Sequence, residues 1–260
     1  MNRYWNTLKL FLLTSLAAEM EYRVNFAIAS IVGLGRAAGA VFTLYLLCQD
    51  GYAPGGWDFN QGMLVIGCFT LMSGLISTIL ETNLSYLVRH VRNGTLDFIL
   101  LKPIDSQFWL STRRFSPWGI PDLIYGIGLI IFAAVKTQTP IINMLYGIFP
   151  ILCAMLTLYG LWFILATSSI LFVNVNNITY VLSGLLDAGR FPIKAYPDAY
   201  RFFFTFIIPI AFLTTVPAQV MLGEDIAFWI IISTLVSTFV LILSRLWWFY
   251  IQRYYTSASS

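Results

Sequence analysis

The sequence predicts an all-α membrane protein, and three observations carry that prediction. Of its 260 residues, 58% are hydrophobic and only 10% are charged, where a soluble domain carries about 25% charged residues. Apolar blocks of roughly 20 residues, long enough to cross the hydrocarbon core as helices, recur along the whole length. No polar stretch between them is large enough for a soluble domain, so residues 1–260 form a single transmembrane domain. Backbone at membrane depth must satisfy its own hydrogen bonds, which makes the spans helices. The formal net charge of +3 excludes little, because in a bilayer the position of each Lys and Arg outweighs the sum.

The first element, residues 1–22, contains "KLFLLTSLAAE". A basic residue, a short apolar run and the Ser15-x-Ala17 pair have the form of a signal-peptidase site. Against cleavage, Trp5, Leu8, Leu12, Leu16 and Met20 follow three- and four-residue spacing, with Arg3, Thr7, Thr14 and Glu21 on another face. That pattern predicts a helix lying in the membrane interface. Spans follow at Val24–Cys48, Gly62–Leu84, Gly119–Val135, Ile141–Ser168, a more polar Ile170–Leu186, and Ile226–Tyr250, which makes about six crossings. Between the last two lies the apolar stretch Phe202–Leu222. Pro209 and Pro217 break it into halves of roughly ten residues, each too short to cross. Broken helices at membrane depth are tolerated where they line a cavity.

Orientation follows from the loops. Gln49–Gln61 has no Lys or Arg, while Arg89, Arg92, Lys102, Arg113 and Arg114 crowd the loop after the second span, and both ends of the chain carry further basic residues. Both termini and that loop are expected in the cytoplasm. Arg190, Lys194 and Arg201 oppose the trend. They fall outside if Ile170–Leu186 crosses, although charge alone would place them inside.

The basic loop, residues 89–116, has internal order. Arg89, His90 and Arg92 put positive charge at a helix C-terminus, and Gly94 suits a left-handed stop. A short helix is expected next. Thr95 caps it, Asp97 sits in its first turn, Leu96, Ile99 and Leu100 form one apolar stripe, and Pro103 ends it after Lys102. Asp105 or Ser106 then starts another helix toward Arg113 and Arg114. The result is an amphipathic hairpin with an apolar stripe that either lipid headgroups or another protein must cover.

Other features weigh against an enzyme. Cys48, Cys68 and Cys153 lie in apolar segments without a CxxC or a nearby histidine ligand, and read as free thiols. The chain has one histidine, His90, and no polar pair placed as nucleophile and base. It has no G-x-x-x-x-G-K-[ST] loop to cradle ATP phosphates. Arg36 is the sharpest single residue. It lies near the middle of the first span, where a cation costs roughly 2.5–3.5 kcal/mol. No acidic residue is expected at its depth, since Glu81 and Asp122 belong near the inner surface and Asp187 near the outer. Its partner is then an anionic group of a cargo or lipid, or else carbonyls and Asn or Ser side chains of a neighbouring helix. Gly35 and Gly39 form a small-xxx-small pair beside it, which permits close helix contact.

The segment "RNGTLDFILLKPIDSQFW" resembles the cytoplasmic coupling segment of type-2 ABC exporter permeases: a basic residue, Gly-Thr-Leu-acidic, two leucines, then proline. The amphipathic N-terminal helix resembles that family's connecting helix. The stretch "FPIKAYPDAYRFFFTFIIPIAFLTTVPAQVML", with Pro192, Pro197, Pro209 and Pro217, resembles its extracytoplasmic re-entrant segment, here residues 187–224, which would form an outer gate. The likeness covers nearly the whole chain and is strongest to a bacterial branch of about 260 residues.

The resemblance implies the transmembrane subunit of an ATP-driven exporter in the bacterial inner membrane. It would form the translocation path as a dimer with a second permease chain, identical or homologous. It implies that Gly94, Thr95, Leu96, Asp97, Ile99, Leu100 and Pro103 couple to a separate ABC ATPase subunit. ATP and Mg are expected on that partner, with no cofactor or metal on this chain; membrane lipid is a further partner, and nucleic acid is not. It places Arg190–Arg201 outside, and Arg36, Gly35 and Gly39 near the path or dimer interface where first and fifth spans meet. The rival class is a secondary transporter or channel working without ATP. Such proteins usually carry intramembrane acidic residues and repeated halves, and neither is expected from this sequence.

Overall fold

The computed structural model describes residues 2–19, 23–49, 51, 53–171, 184–207 and 209–255, and no strand occurs among them. The helices that carry the architecture are α1 (Asn2–Glu19), α2 (Arg23–Cys48), α3 (Phe59–Arg92), the single turn α4 (Asp97–Leu100), α5 (Ser106–Thr112), α6 (Ile120–Lys136), α7 (Ile141–Thr167), α8 (Ala211–Leu222) and α9 (Ile226–Ile251). Among the described residues five helices, α2, α3, α6, α7 and α9, are long and apolar enough to cross a membrane. The expected crossing at Ile170–Leu186 lies largely outside the described residues.

Helix α3 is the backbone of the bundle. It begins at a capping box, in which the Gln61 N–H donates to Asp58 Oδ1 at 2.7 Å and the Asp58 N–H to Gln61 Oε1 at 3.2 Å. Its 34 residues extend about 51 Å at 1.5 Å per residue, well beyond a hydrocarbon layer of about 30 Å. The expected span stops at Leu84, but the helix runs on to Arg92 and carries its basic end clear of the apolar layer. A π-helical turn interrupts it at Ile76–Leu80, and the Thr78 carbonyl there accepts the Ser116 N–H at 2.9 Å, tying the start of α6 to α3.

Close packing of α3 on α6 depends on four glycines. A Cβ on Gly67 or Gly74 of α3 would meet backbone or side-chain atoms of α6 within 2.7–3.0 Å, and one on Gly119 or Gly126 would collide with α3. The spacing is seven residues on each side of the contact, with Gly119 in the turn that leads into α6, so the glycines line one seam. The pair singled out in the sequence behaves differently: a Cβ on Gly35 or Gly39 would meet nothing within 4 Å. Within this chain the close helix contact is made at the Gly67/Gly74–Gly119/Gly126 seam, and Gly35 and Gly39 border open space.

Helix α8 is buried on all sides from Ala211 to Met221, wedged against α3 and α7, as expected of a helix apolar all round. The chain breaks at buried Pro209, as expected. Pro217, expected to break the stretch again, instead sits inside α8. Proline removes one backbone hydrogen bond, and packing around the whole helix circumference holds it together despite the loss. At its far end Gly223 adopts φ 87° and Asp225 φ 42°, turning the chain back into α9.

The two ends of the bundle are chemically distinct. At the Phe59 end of α3, Gly55 leaves room for Lys194 and Ala195, whose atoms would lie 2.7–2.9 Å from a Cβ at that position. The basic hairpin lies at the Arg92 end. Arg190–Arg201 is therefore grouped with the Gln49–Gln61 loop, which has no Lys or Arg.

Two results are expected. Gly126→Ala lowers the yield of folded chain severalfold, whereas Gly128→Ala, two residues away with open space around it, leaves yield unchanged in fluorescence-detected size exclusion; equal yields would contradict the seam. In a cysteine-free background, a membrane-impermeant thiol probe labels Ala195→Cys in intact cells, and labels Leu101→Cys only after permeabilisation. The reverse pattern would invert the topology.

Candidate functional site

The hairpin is built from the end of α3 outward. Gly94 adopts φ 63°, the Thr95 N–H donates to the His90 carbonyl at 3.0 Å and the Gly94 N–H to Val91, a left-handed helix stop of the expected kind. Thr95 does not cap α4, contrary to expectation. Its hydroxyl lies 2.8 Å from His90 Nδ1 and bonds the His90 carbonyl, so it closes α3, and Leu96 takes the N-cap position of α4. Asp105, by contrast, caps α5 by accepting the Phe108 N–H at 2.9 Å.

The expected docking stripe is turned inward. Leu96 and Ile99 are 0% and 4% exposed and belong to the chain's own core, with Leu100 packed against it, while Phe98 and Leu101 are 70% and 81% exposed. The reason is geometric. A single helical turn cannot show a stripe to both sides, and Leu96 and Ile99 are spent on the chain's own core. The surface offered outward is Phe98, Leu101 and the exposed Lys102–Pro103 corner.

Behind that surface, α5 and the residues just after it are fastened to α9, α7, α3 and α1. Arg245 of α9 forms an ion pair with Asp105, with Nη1 donating to Asp105 Oδ1 at 3.2 Å and to Gln107 Oε1 at 3.0 Å. The Trp248 indole N–H donates to Ser106 Oγ at 3.1 Å. Gln107 Nε2 donates to Tyr159 of α7 at 3.1 Å, and Ser111 lies 2.8 Å from the same hydroxyl. Asn83 of α3 clamps the Arg114 backbone from both sides, at 2.7 and 2.9 Å. Helix α1 covers the rest. Tyr4 and Phe11 pack edge-on against Phe108 and Trp109, Arg113 stacks over Phe11, and Ser15 accepts the Phe115 N–H. Tyr4 and Phe11 form the face that α1 turns to the hairpin, while Trp5 of the expected interfacial stripe is exposed; the side chains of Leu16 and Met20 lie outside the described residues.

Burial pushes the Asp105 carboxyl up, but Arg245 and the Phe108 N–H outweigh it and hold the carboxyl below its usual range. Its contribution to hairpin stability is therefore full above about pH 4, the ordinary carboxylate value, and is lost as pH falls through the lowered folded value.

The second feature is a cleft of about 140 Å³ bordered by α2, α3, α6 and the turn Asp187–Arg190. Arg36 reaches into it and pairs with Asp122 at 2.7 Å. This overturns the expectation that no acid lies at its depth. Helix α6 starts deep, one turn above the Ser116–Thr78 contact, and the long arginine side chain spans the remaining difference. Gly33 makes the room, since a Cβ there would collide with the Asp122 carboxylate. The Tyr125 hydroxyl donates to the Ser30 carbonyl at 3.2 Å, holding α2 to α6 one turn further along. Opposite, Arg190 pairs with Asp187 at 3.0 Å and stacks 5.2 Å from the Phe69 ring. The structure thus gathers Arg36, Asp122, Asp187 and Arg190, two of which the sequence assigned to opposite surfaces.

The outer prolines fall in separate places. Pro192 precedes the turn Ile193–Ala195, whose Ile193 N–H donates to Thr215 of α8 at 3.2 Å, and Pro197 precedes a turn at Asp198–Phe202. Arg245, Tyr159 and Gln107 were missed from the sequence. The only signal was an arginine near the inner end of the last span, where a cation can also simply snorkel.

Residues 34–259 match the family model described as "ABC-2 family transporter protein". No curated protein and no solved structure matches the chain.

The joint between α5 and α9 is open to a double-mutant cycle. Asp105→Asn keeps a competent helix cap while removing the ion pair, and Arg245→Gln removes the other half. Each single variant should speed proteolysis of the hairpin, and the double variant should cost less than the sum, by a coupling of about 1 kcal/mol. Strict additivity would mean that the pair carries no load.

Proposed function

Because the chain belongs to the ABC-2 family of transporter proteins, we propose that it is the transmembrane subunit of an ATP-driven exporter, paired with a second permease chain, identical or homologous, and moved by a separate ABC ATPase. Both termini and the hairpin face the cytoplasm of a bacterial cell, in its inner membrane. ATP and Mg are held by the ATPase. The observation that carries this reading is the hairpin itself. It projects two large apolar side chains, Phe98 and Leu101, from the most basic end of the molecule. It is also bonded behind that surface to α3, α7 and α9.

Those bonds supply a mechanism. An ATPase that grips Phe98 and Leu101 pushes on α4 and α5 when it closes on ATP. Through Asp105 the push reaches Arg245 and tilts α9; through Gln107 and Ser111 it reaches Tyr159 in α7. Helix α9 packs along α7 and moves with it, whereas α2 presents a mostly exposed apolar face at the edge of the bundle and is the element freest to move against a partner. The route then runs along α2, past Arg36, Gly35 and Gly39, with the segment from Pro192 to Pro217 as its outer closure.

A second reading, transport without ATP, draws support from Asp122, an acid inside the span region of the sort that couples ions. Its pairing to Arg36 opposes that use.

Phe98→Ser with Leu101→Ser removes two apolar anchors of about 1.5–3 kcal/mol each, which should weaken co-purification of an ABC ATPase by two or more orders of magnitude while membrane insertion stays normal. Leu96→Ser with Ile99→Ser should instead reduce the yield of folded chain. Undiminished co-purification after the first exchange, with export intact, would leave the hairpin only a seat on the membrane surface.

A further inference from the structure

The charged cleft has an electrostatic pattern that its two ion pairs do not use up. Arg36 with Asp122 and Arg190 with Asp187 put two opposite-sign pairs on one cleft, and the four charges sum to zero. Each guanidinium gives one terminal nitrogen, Nη2, to its carboxylate, out of five N–H groups in a planar fork. Arg36 and Asp187 remain 58% and 64% exposed. The Ser73 hydroxyl on the cleft wall has no partner among the described residues. The volume of about 140 Å³ corresponds to roughly five waters.

The mixed charge selects among ligands. A bare anion bridging the two arginines would sit beside two carboxylates, and a bare cation would meet two guanidinium groups. A zwitterion satisfies both signs at once, with a phosphate across the remaining N–H groups of Arg36 and Arg190 and an ammonium on the open Asp187 carboxylate. Access points the same way. Further along α2 and α6 lies an apolar groove of about 730 Å³ lined by Val41, Phe42, Ile124 and Leu129, and Ala37 borders both groove and cleft. A ligand with hydrocarbon chains can occupy both.

We propose that the cleft binds the zwitterionic phosphoammonium headgroup of an amphiphile, with phosphate on Arg36 and Arg190, ammonium on Asp187, and chains in the groove beside Ala37. The proposal deepens the export reading by naming a cargo class, and rests on that reading only for the movement of the ligand, not for its binding.

The test uses the full chain without an ATPase, purified in dodecyl maltoside and titrated under native mass spectrometry. The probes are dihexanoyl phosphatidylethanolamine, dihexanoyl phosphatidic acid, dihexanoylglycerol, and O-phosphoethanolamine without chains. Phosphatidylethanolamine should bind at least tenfold more tightly than each of the others. Arg190→Gln should erase most of that preference at unchanged thermal stability. Arg36→Gln alone would strand Asp122, so the neutral pair Arg36→Gln with Asp122→Asn is the companion variant, and it should erase the preference too. Equal binding of the three acylated probes would mean ordinary boundary lipid. Phosphatidic acid binding as tightly would mean an anion site, and chain-free phosphoethanolamine binding as tightly would mean a soluble ligand. Any of these, or indifference to Arg190→Gln, overturns the proposal. Because no ATPase is present, such a failure leaves the coupling reading untouched, and failure of the Phe98 and Leu101 experiment leaves this one untouched.

Discussion

The ion pair between Asp105 and Arg245 is the joint on which this architecture turns. Without it, α5 would rest on the bundle through aromatic contacts with α1 and neutral hydrogen bonds to α7 and, through Ser106 and Trp248, to α9. With it, a charge-assisted contact connects a short surface helix to the last span. The location matters as much as the bond. Asp105 also caps α5 through the Phe108 N–H, so one carboxylate both starts the helix and anchors it. A force applied to Phe98 or Leu101, a few residues earlier in the chain, has little slack to take up before it reaches α9.

A stiff core makes such a joint useful. The glycine seam brings α3 and α6 close enough for backbone contact, α8 is enclosed by its neighbours, and Trp162, Phe163 and Trp248 fill the inner half of α7 and α9 with no exposed surface. Phe163 and Trp248 meet edge to face at 5.5 Å. Against that core, α2 is placed by the Arg36–Asp122 pair, the Tyr125–Ser30 bond and the Gly33 contact, together with Ala40 and Leu44, which it buries in the core. Charges at membrane depth are costly to leave unpaired, so this pair fixes where α2 docks while leaving its outer face for another occupant. The same pair that orients α2 also supplies half of the cleft's mixed charge.

Composition and hydropathy made the all-α membrane class legible, and the Gly-Thr-Leu-acidic motif made the family legible. What remained hidden depended on relative depth and on short-range geometry. Asp122 looked superficial because its distance from the inner surface was counted along its own helix, whereas α6 begins inside a bundle whose α3 overshoots the membrane. The direction of Leu96, Ile99, Phe98 and Leu101 could not be read because four residues make one turn, and one turn has no periodicity to interpret. The seam at Gly67, Gly74, Gly119 and Gly126 was visible in principle as matched seven-residue spacing, but the small-xxx-small pair at Gly35 and Gly39 drew the reading to the first span instead. Pro217 misled for a different reason: proline breaks an exposed helix, and α8 is held from every side.

The central claim is that the hairpin face of Phe98 and Leu101 is gripped by an ATPase. Its most direct test places a photo-crosslinking amino acid at Leu101 in living cells, with a second variant carrying it at buried Leu96, and identifies the adducts by mass spectrometry. The account predicts that Leu101 captures a protein with a phosphate-binding loop and ABC ATPase activity, and that Leu96 captures only segments of its own chain. Adducts to lipid alone at Leu101, in cells that still carry out export, would contradict it.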